Sequence, residues 1–168
     1  MELRLENQNR LLWQDSNCPA VIGKGSLIPE QAKKEGDGAT PTGNFVLRRV
    51  LYRNDRVERP ITALPCRAIT LSDGWCDAPL DPAYNRPVSL PYPASTEKLF
   101  RDDHLYDLLV VLGHNDHPPK AGLGSAIFFH LARGNGSATR GCIAVAKEDM
   151  LSILRLVTKS SFITIPAP

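Results

Sequence analysis

Apolar residues fall in short runs of strand length along this chain, alternating in the first of them, and at helical spacing only once, which restricts it to a mainly sheet-built fold. Residues 2–6 and 10–14 alternate on either side of Asn7-Gln8-Asn9, the pattern of a hairpin. Residues 19–23, 44–52, 67–71, 108–113, 125–130, 142–145 and 162–165 read as further strands. Met150, Leu151, Leu154 and Val157 predict one helix over residues 147–157. Ser95 is placed to cap a short second helix running to about Arg101. Residues 24–43 read as a loop with one helical turn near 29–33, and Thr40–Gly43 as a turn. The proline-rich stretch 76–93 reads as extended loop. The sum is a mainly β chain, one domain over residues 1–168 with a helix against the sheet. Its long irregular segment 58–107, which holds the short helix, is expected to form a lid or wall.

Charge excludes several function classes. Twenty Lys and Arg against eighteen Asp and Glu, evenly spread, leave a net +2, too little to imply nucleic acid or an anionic membrane surface as partner. No apolar run is long enough to span a bilayer. The first residues carry no basic region followed by a long apolar run, and Leu3 and Leu5 already alternate as a strand. A cytoplasmic location is therefore expected, with a periplasmic one as the alternative if a leader has been removed. Cys18, Cys66, Cys76 and Cys142 form no C-x-x-C pair and read as reduced thiols.

The chemistry concentrates near the C-terminus. His130 closes the apolar run Ala126-Ile127-Phe128-Phe129, and Cys142 opens the next strand twelve residues on. Adjacent strands joined by a small-residue loop bring the thiol and the imidazole close enough to share a proton. A free thiol titrates near ~8.5, so it needs such a base to attack at neutral pH. Arg140 adds positive potential that favours the thiolate. Gly141 permits a tight turn, and its amide with that of Cys142 is placed to hold an oxyanion. His114 and Asn115 follow a buried strand and are expected to line the cleft near His130. His114 and His117 have an H-x-x-H spacing, but on a proline-containing loop with no H-E-x-x-H helix, so no metal is expected.

Two blocks carry a family resemblance. His130, then Thr139-Arg140-Gly141-Cys142-Ile143, resembles the histidine and Ser/Thr-x-Gly-Cys-Ile pattern of the L,D-transpeptidase catalytic domain. Thr40-Pro41-Thr42-Gly43-Asn44-Phe45 resembles that family's Thr-Pro-x-Gly-x-Phe stretch, in the expected order. The chain departs from the usual form in having Arg140 in place of a histidine before Gly141, and Ala144 in place of an arginine two residues after the cysteine. The resemblance implies a β-sandwich-like mixed sheet, a cysteine acyl-enzyme, no metal or cofactor, and a peptidoglycan stem peptide or muropeptide as partner. It implies Cys142 as nucleophile, His130 as base and Gly141 at the oxyanion site. Thr139, Arg140, Arg133, His114 and Asn115 are the expected substrate-binding residues, with Arg140 and Arg133 on a carboxylate of the peptide. The expected reaction is L,D-carboxypeptidase cleavage of the terminal D-Ala from a tetrapeptide, in murein recycling. A crosslinking L,D-transpeptidase, an inert peptidoglycan-binding module and a zinc amidopeptidase are the alternatives.

Overall fold

Asn7 and Gln8 take positive φ angles of 48° and 62° and close the hairpin between β1 (Glu2–Glu6) and β2 (Arg10–Trp13). Turns of that hand match the twist of the strands they join. The computed structural model describes residues 1–167. Beyond the hairpin lie β3 (Ser16–Pro19), β4 (Leu27–Pro29), a 3₁₀ turn at Glu30–Ala32, and the long β5 (Thr40–Tyr52). Then come β6 (Cys66–Ala68), β7 (Asp73–Cys76), β8 (Pro87–Ser89), β9 (Thr96–Lys98) and β10 (Leu108–Leu112). The chain continues through β11 (Phe128–Leu131), β12 (Ile143–Val145), helix α1 (Lys147–Leu154) and β13 (Phe162–Ile165).

The larger sheet runs β12-β11-β10-β5-β13-β1-β2-β3, with β4 and β6 also on β5. It mixes parallel and antiparallel pairs. β5 belongs to both halves: Gly43–Val46 pair with β13, and the residues from Leu47 to Tyr52 pair with β10. Leu3, Leu5 and Leu11 of one half share a core with Leu108, Val110, Phe129 and Ile143 of the other, so the sheet folds over that core in sandwich fashion. Helix α1 adds Met150, Ile153 and Leu154, three positions on one face. Glu148 and Asp149 in its first turn complement the helix dipole.

A second sheet, β8-β7-β9, occupies the middle of the chain. Two expectations are corrected there. The short helix from Ser95 is absent: Thr96–Lys98 is strand β9, paired with Cys76, Trp75 and Gly74 of β7. Its residues present no buried helical stripe, and cross-strand pairing overrides the cap signal. The proline-rich stretch is not all loop either. Pro87 opens the edge strand β8, where a missing N–H is tolerated. Thr40–Gly43, read as a turn, begins β5, because β4 pairs alongside it in parallel. The strand expected at 19–23 ends at Pro19, and only Val21 and Gly23 bridge onward, to Ala144 and Thr139.

Candidate active site

Strands β11 and β12 are parallel, with Phe129 opposite Ile143, His130 opposite Ala144 and Leu131 opposite Val145. Cys142 therefore stands one step before β12, level with Phe128. Side chains alternate across a strand. Phe129, Ile143 and Val145 enter the sandwich core, while Phe128 and Cys142 enter a second cluster with Leu51, Leu109, Val111, Trp75, Leu99 and Tyr106. His130 lies two residues from Phe128 and so shares the face of Cys142. The thiol and the imidazole are diagonal neighbours one pleat apart, placed by strand register rather than by a hairpin end.

At rest the two groups do not bond to each other. The Cys142 thiol donates to the Ala126 carbonyl at 3.3 Å, and its sulfur accepts the Phe128 N–H at 3.3 Å. His130 Nδ1–H donates to the Leu131 carbonyl at 2.8 Å, which leaves Nε2 as the unprotonated nitrogen. Above them the β7–β9 side supplies an aromatic cover. Tyr106 meets the His130 ring edge-on at 5.4 Å and the Phe128 ring at 5.7 Å, and Trp75 meets Phe128 at 5.2 Å. Tyr106 is held by Glu97, whose carboxylate accepts from its hydroxyl at 3.1 Å, and by the Arg101 guanidinium 5.1 Å from its ring.

The cover sets the electrostatics. Cys142 is 7% and His130 4% exposed. Burial pushes the Cys142 thiol up to about 12 and His130 down to about 4, so both are neutral near pH 7. The charges felt by the sulfur are Glu97, which raises it further, and Lys33, which lowers it. Arg140, expected to favour the thiolate, is exposed on its loop and is not among them. Lys33 and Glu97 were not foreseen because they are distant from Cys142 in the chain.

The histidine carries a pH signature. The unfolded imidazole takes a proton near 6.5, whereas the folded one resists until about 4. Its contribution to stability is complete above 6.5 and is lost as pH falls toward 4, by up to ~3 kcal/mol. Urea unfolding at pH 7 and pH 4.5 is expected to show a smaller drop for His130→Gln than for the parent. Equal drops in the two proteins would rule this out.

The turn before Cys142 is tied to the start of β5. Thr139 Oγ1 donates to the Cys142 carbonyl at 2.7 Å and accepts the Gly141 N–H at 3.1 Å. Thr40 Oγ1 accepts the Gly23 N–H at 2.8 Å and approaches the Cys142 carbonyl at 3.5 Å. Gly141 has φ 125°, and a Cβ there would lie 2.8 Å from the Ala39 carbonyl oxygen. The two blocks singled out in the sequence, Thr40–Phe45 and Thr139–Ile143, thus meet at the backbone of Cys142.

The sequence profile of the L,D-transpeptidase catalytic domain (YkuD) matches residues 2–165. The chain belongs to that family. No curated protein matches it. L,D-transpeptidase catalytic domains are cysteine acyltransferases and peptidases that act on peptidoglycan peptides. Cysteine catalysis of that kind is accordingly the chemistry of this fold, and the fold is the mixed sheet expected.

At rest the Gly141 N–H of this L,D-transpeptidase domain donates to Thr139 Oγ1, and both residues shape the turn that presents Cys142. Two expected positions are corrected. His114 and Asn115 do not lie beside His130. β10 runs antiparallel to β11, with Leu109 opposite His130 and Val111 opposite Phe128, which carries them past the other end. There His114 is buried, its ring held by the Leu123 carbonyl at 3.0 Å and Glu30 at 3.2 Å. Asn115 binds the backbone of Lys120 and Gly124, pinning the same loop. Arg133 is exposed, 3.8 Å from Asp103, and lies close enough to His130 to depress its protonation. Among the described residues no group of three His, Cys, Asp or Glu side chains is arranged to hold a metal, and no helix is long and apolar enough to cross a membrane.

Proposed function

We propose that this L,D-transpeptidase-family chain is a cysteine L,D-carboxypeptidase that removes the terminal D-Ala of a peptidoglycan stem tetrapeptide. The observation that carries the reading is the strand register that sets Cys142 and His130 one pleat apart on one covered face of β11 and β12, with His130 Nδ1 already occupied by the Leu131 carbonyl. Substrate entry displaces Tyr106 from the His130 ring, and the thiol proton, held at rest toward the Ala126 carbonyl, passes from the sulfur to His130 Nε2. The sulfur attacks the carbonyl of the diaminopimelate–D-Ala bond, and the Cys142 amide holds the oxyanion. The C–N bond breaks, the imidazolium returns the proton to the leaving amine, and a thioester remains. Water, deprotonated by the same nitrogen, attacks the thioester and restores the thiol. A proton handed over during attack suits a pair that is neutral at rest better than a preformed thiolate does.

Water is the acceptor in this reading, in place of the side-chain amine of a second peptide. The reading goes with soluble muropeptides as substrates and a cytoplasmic location. Incubation with a stem tetrapeptide, followed by mass spectrometry, is expected to show loss of one alanine and a transient acyl adduct on Cys142. Dimeric peptides would assign crosslinking instead. An unchanged tetrapeptide with no adduct would sink both.

A further inference from the structure

Alternation along β5 slips once. Phe45 and Leu47 are buried, Val46 and Arg48 exposed; then Arg49 is exposed too, and Val50 is buried. The cause is a bulge: Val111 pairs with Arg49 but Leu112 pairs with Leu47, so Arg48 is an extra residue. An inserted residue reverses the phase of a strand. Leu47 and Val50 both enter the sandwich core, and Leu51 enters the cluster that holds Cys142. Arg48 and Arg49 therefore emerge side by side on the face that carries the thiol.

They line a cavity of about 220 Å³ whose other walls include Arg86, Trp75, Asn85 and Asp116. Asp116 grips Arg48 through two bonds, Nε at 2.7 Å and the other nitrogen at 3.1 Å. Among the described residues, Arg49 and Arg86 have no ion-pair partner, so the cavity holds two uncompensated guanidinium groups. Trp75 is the wall between this cavity and the candidate nucleophile, since it also packs on Phe128, whose N–H meets the Cys142 sulfur. Asn85 fixes that wall by accepting from Trp75 Nε1 at 2.8 Å and from the Ala126 N–H at 3.1 Å.

We propose that this cavity is a carboxylate subsite in which Arg49 and Arg86 bind a free carboxylate of the peptide while another part of it reaches Cys142. The proposal rests on the stem-peptide reading above and moves the anion-binding role from Arg133 and Arg140 to the bulge of β5. Planar guanidinium forks suit a carboxylate, and Arg48, already neutralised, shapes the pocket floor. The site acts on binding, so its loss raises KM and leaves the chemical step largely intact.

The test separates binding from turnover. In a Cys142→Ala background, calorimetry measures the Kd of the stem tetrapeptide and of the same peptide with its carboxylates amidated. Arg49→Gln with Arg86→Gln is expected to weaken the free-acid peptide by ~10-fold or more and to leave the amidated peptide unchanged. Arg86→Gln alone gives a smaller loss in the same direction. Both side chains are exposed, so the melting temperature is expected to hold. An unaltered Kd for the free acid, equal losses for both peptides, or no binding by the parent would each overturn the subsite. The proposed reaction is judged separately, by the alanine released from the protein with Cys142 intact.

Discussion

Cys142→Ala is expected to abolish both the acyl adduct and the release of alanine, with a rate loss of at least ~10⁴-fold, because a covalent route has no substitute for its nucleophile. The same change is expected to spare the fold. The sulfur makes two hydrogen bonds, to the Phe128 N–H and the Ala126 carbonyl, each at 3.3 Å. A thiol is a weak donor and a weak acceptor, so these bonds hold little of the stability that the surrounding Phe128, Leu109 and Trp75 packing supplies. Mass spectrometry of the reaction and a melting curve on the same sample check the two halves of the expectation. Alanine release persisting in Cys142→Ala would move the chemistry to another group altogether. A companion measurement follows from the covered, neutral thiol. Without substrate, iodoacetamide is expected to label Cys142 slowly at pH 7 and faster as pH rises toward the thiol's range near 12.

Gly141→Ala is expected to do the reverse, costing stability and activity together. Its φ of 125° is a backbone region that an alanine enters only with strain of ~1–3 kcal/mol. The new Cβ would also lie 2.8 Å from the Ala39 carbonyl oxygen and 3.3 Å from Ile127 Cδ1. Overpacking against backbone adds a further ~1–3 kcal/mol. For a chain of this length the sum is a fall of ~10 °C in melting temperature. The turn that presents the sulfur is displaced as well, and a shift of ~1 Å at a reacting atom is worth ~10²-fold in rate. Gly136→Ala, in the same connection, is the control: φ is 65° but nothing lies within 4 Å of the added carbon. Its loss is expected to be the smaller by several degrees, with activity retained. If the two alanine variants melt together, the close approach to Ala39 has no energetic weight.

The parts of this fold legible in the sequence are those decided by near neighbours. The β1–β2 hairpin, β10 and α1 follow from alternation, turn residues and helical spacing, and the structure has them. What was hidden is pairing between distant segments. β9 is a strand because β7 offers it a partner, and Ser95 alone points the other way. β11 and β12 run parallel although the connection between them contains no helix, so their register, which puts Cys142 and His130 on one face, was invisible in their spacing. The site shows the same division. His130, Gly141 and Cys142 stand out as a local pattern, whereas the charges of Lys33 and Glu97 act on the sulfur, and Tyr106 joins its cluster, only through the tertiary fold. The bulge at Arg48 was hidden in the same way, since nothing in the pair Arg48-Arg49 itself discloses it.

Asn85 joins the second sheet to the rest of the molecule with one side chain. Its amide nitrogen donates to the carbonyls of His114 and Asn115, and its oxygen accepts from Trp75 and Ala126, so every hydrogen-bonding valence of the group is occupied. No isostere reproduces this: aspartate lacks the donors and leucine lacks both functions. The roof over the sulfur is consequently latched rather than draped, and unfastening any one of the four contacts leaves a sequestered dipole that strains the other three.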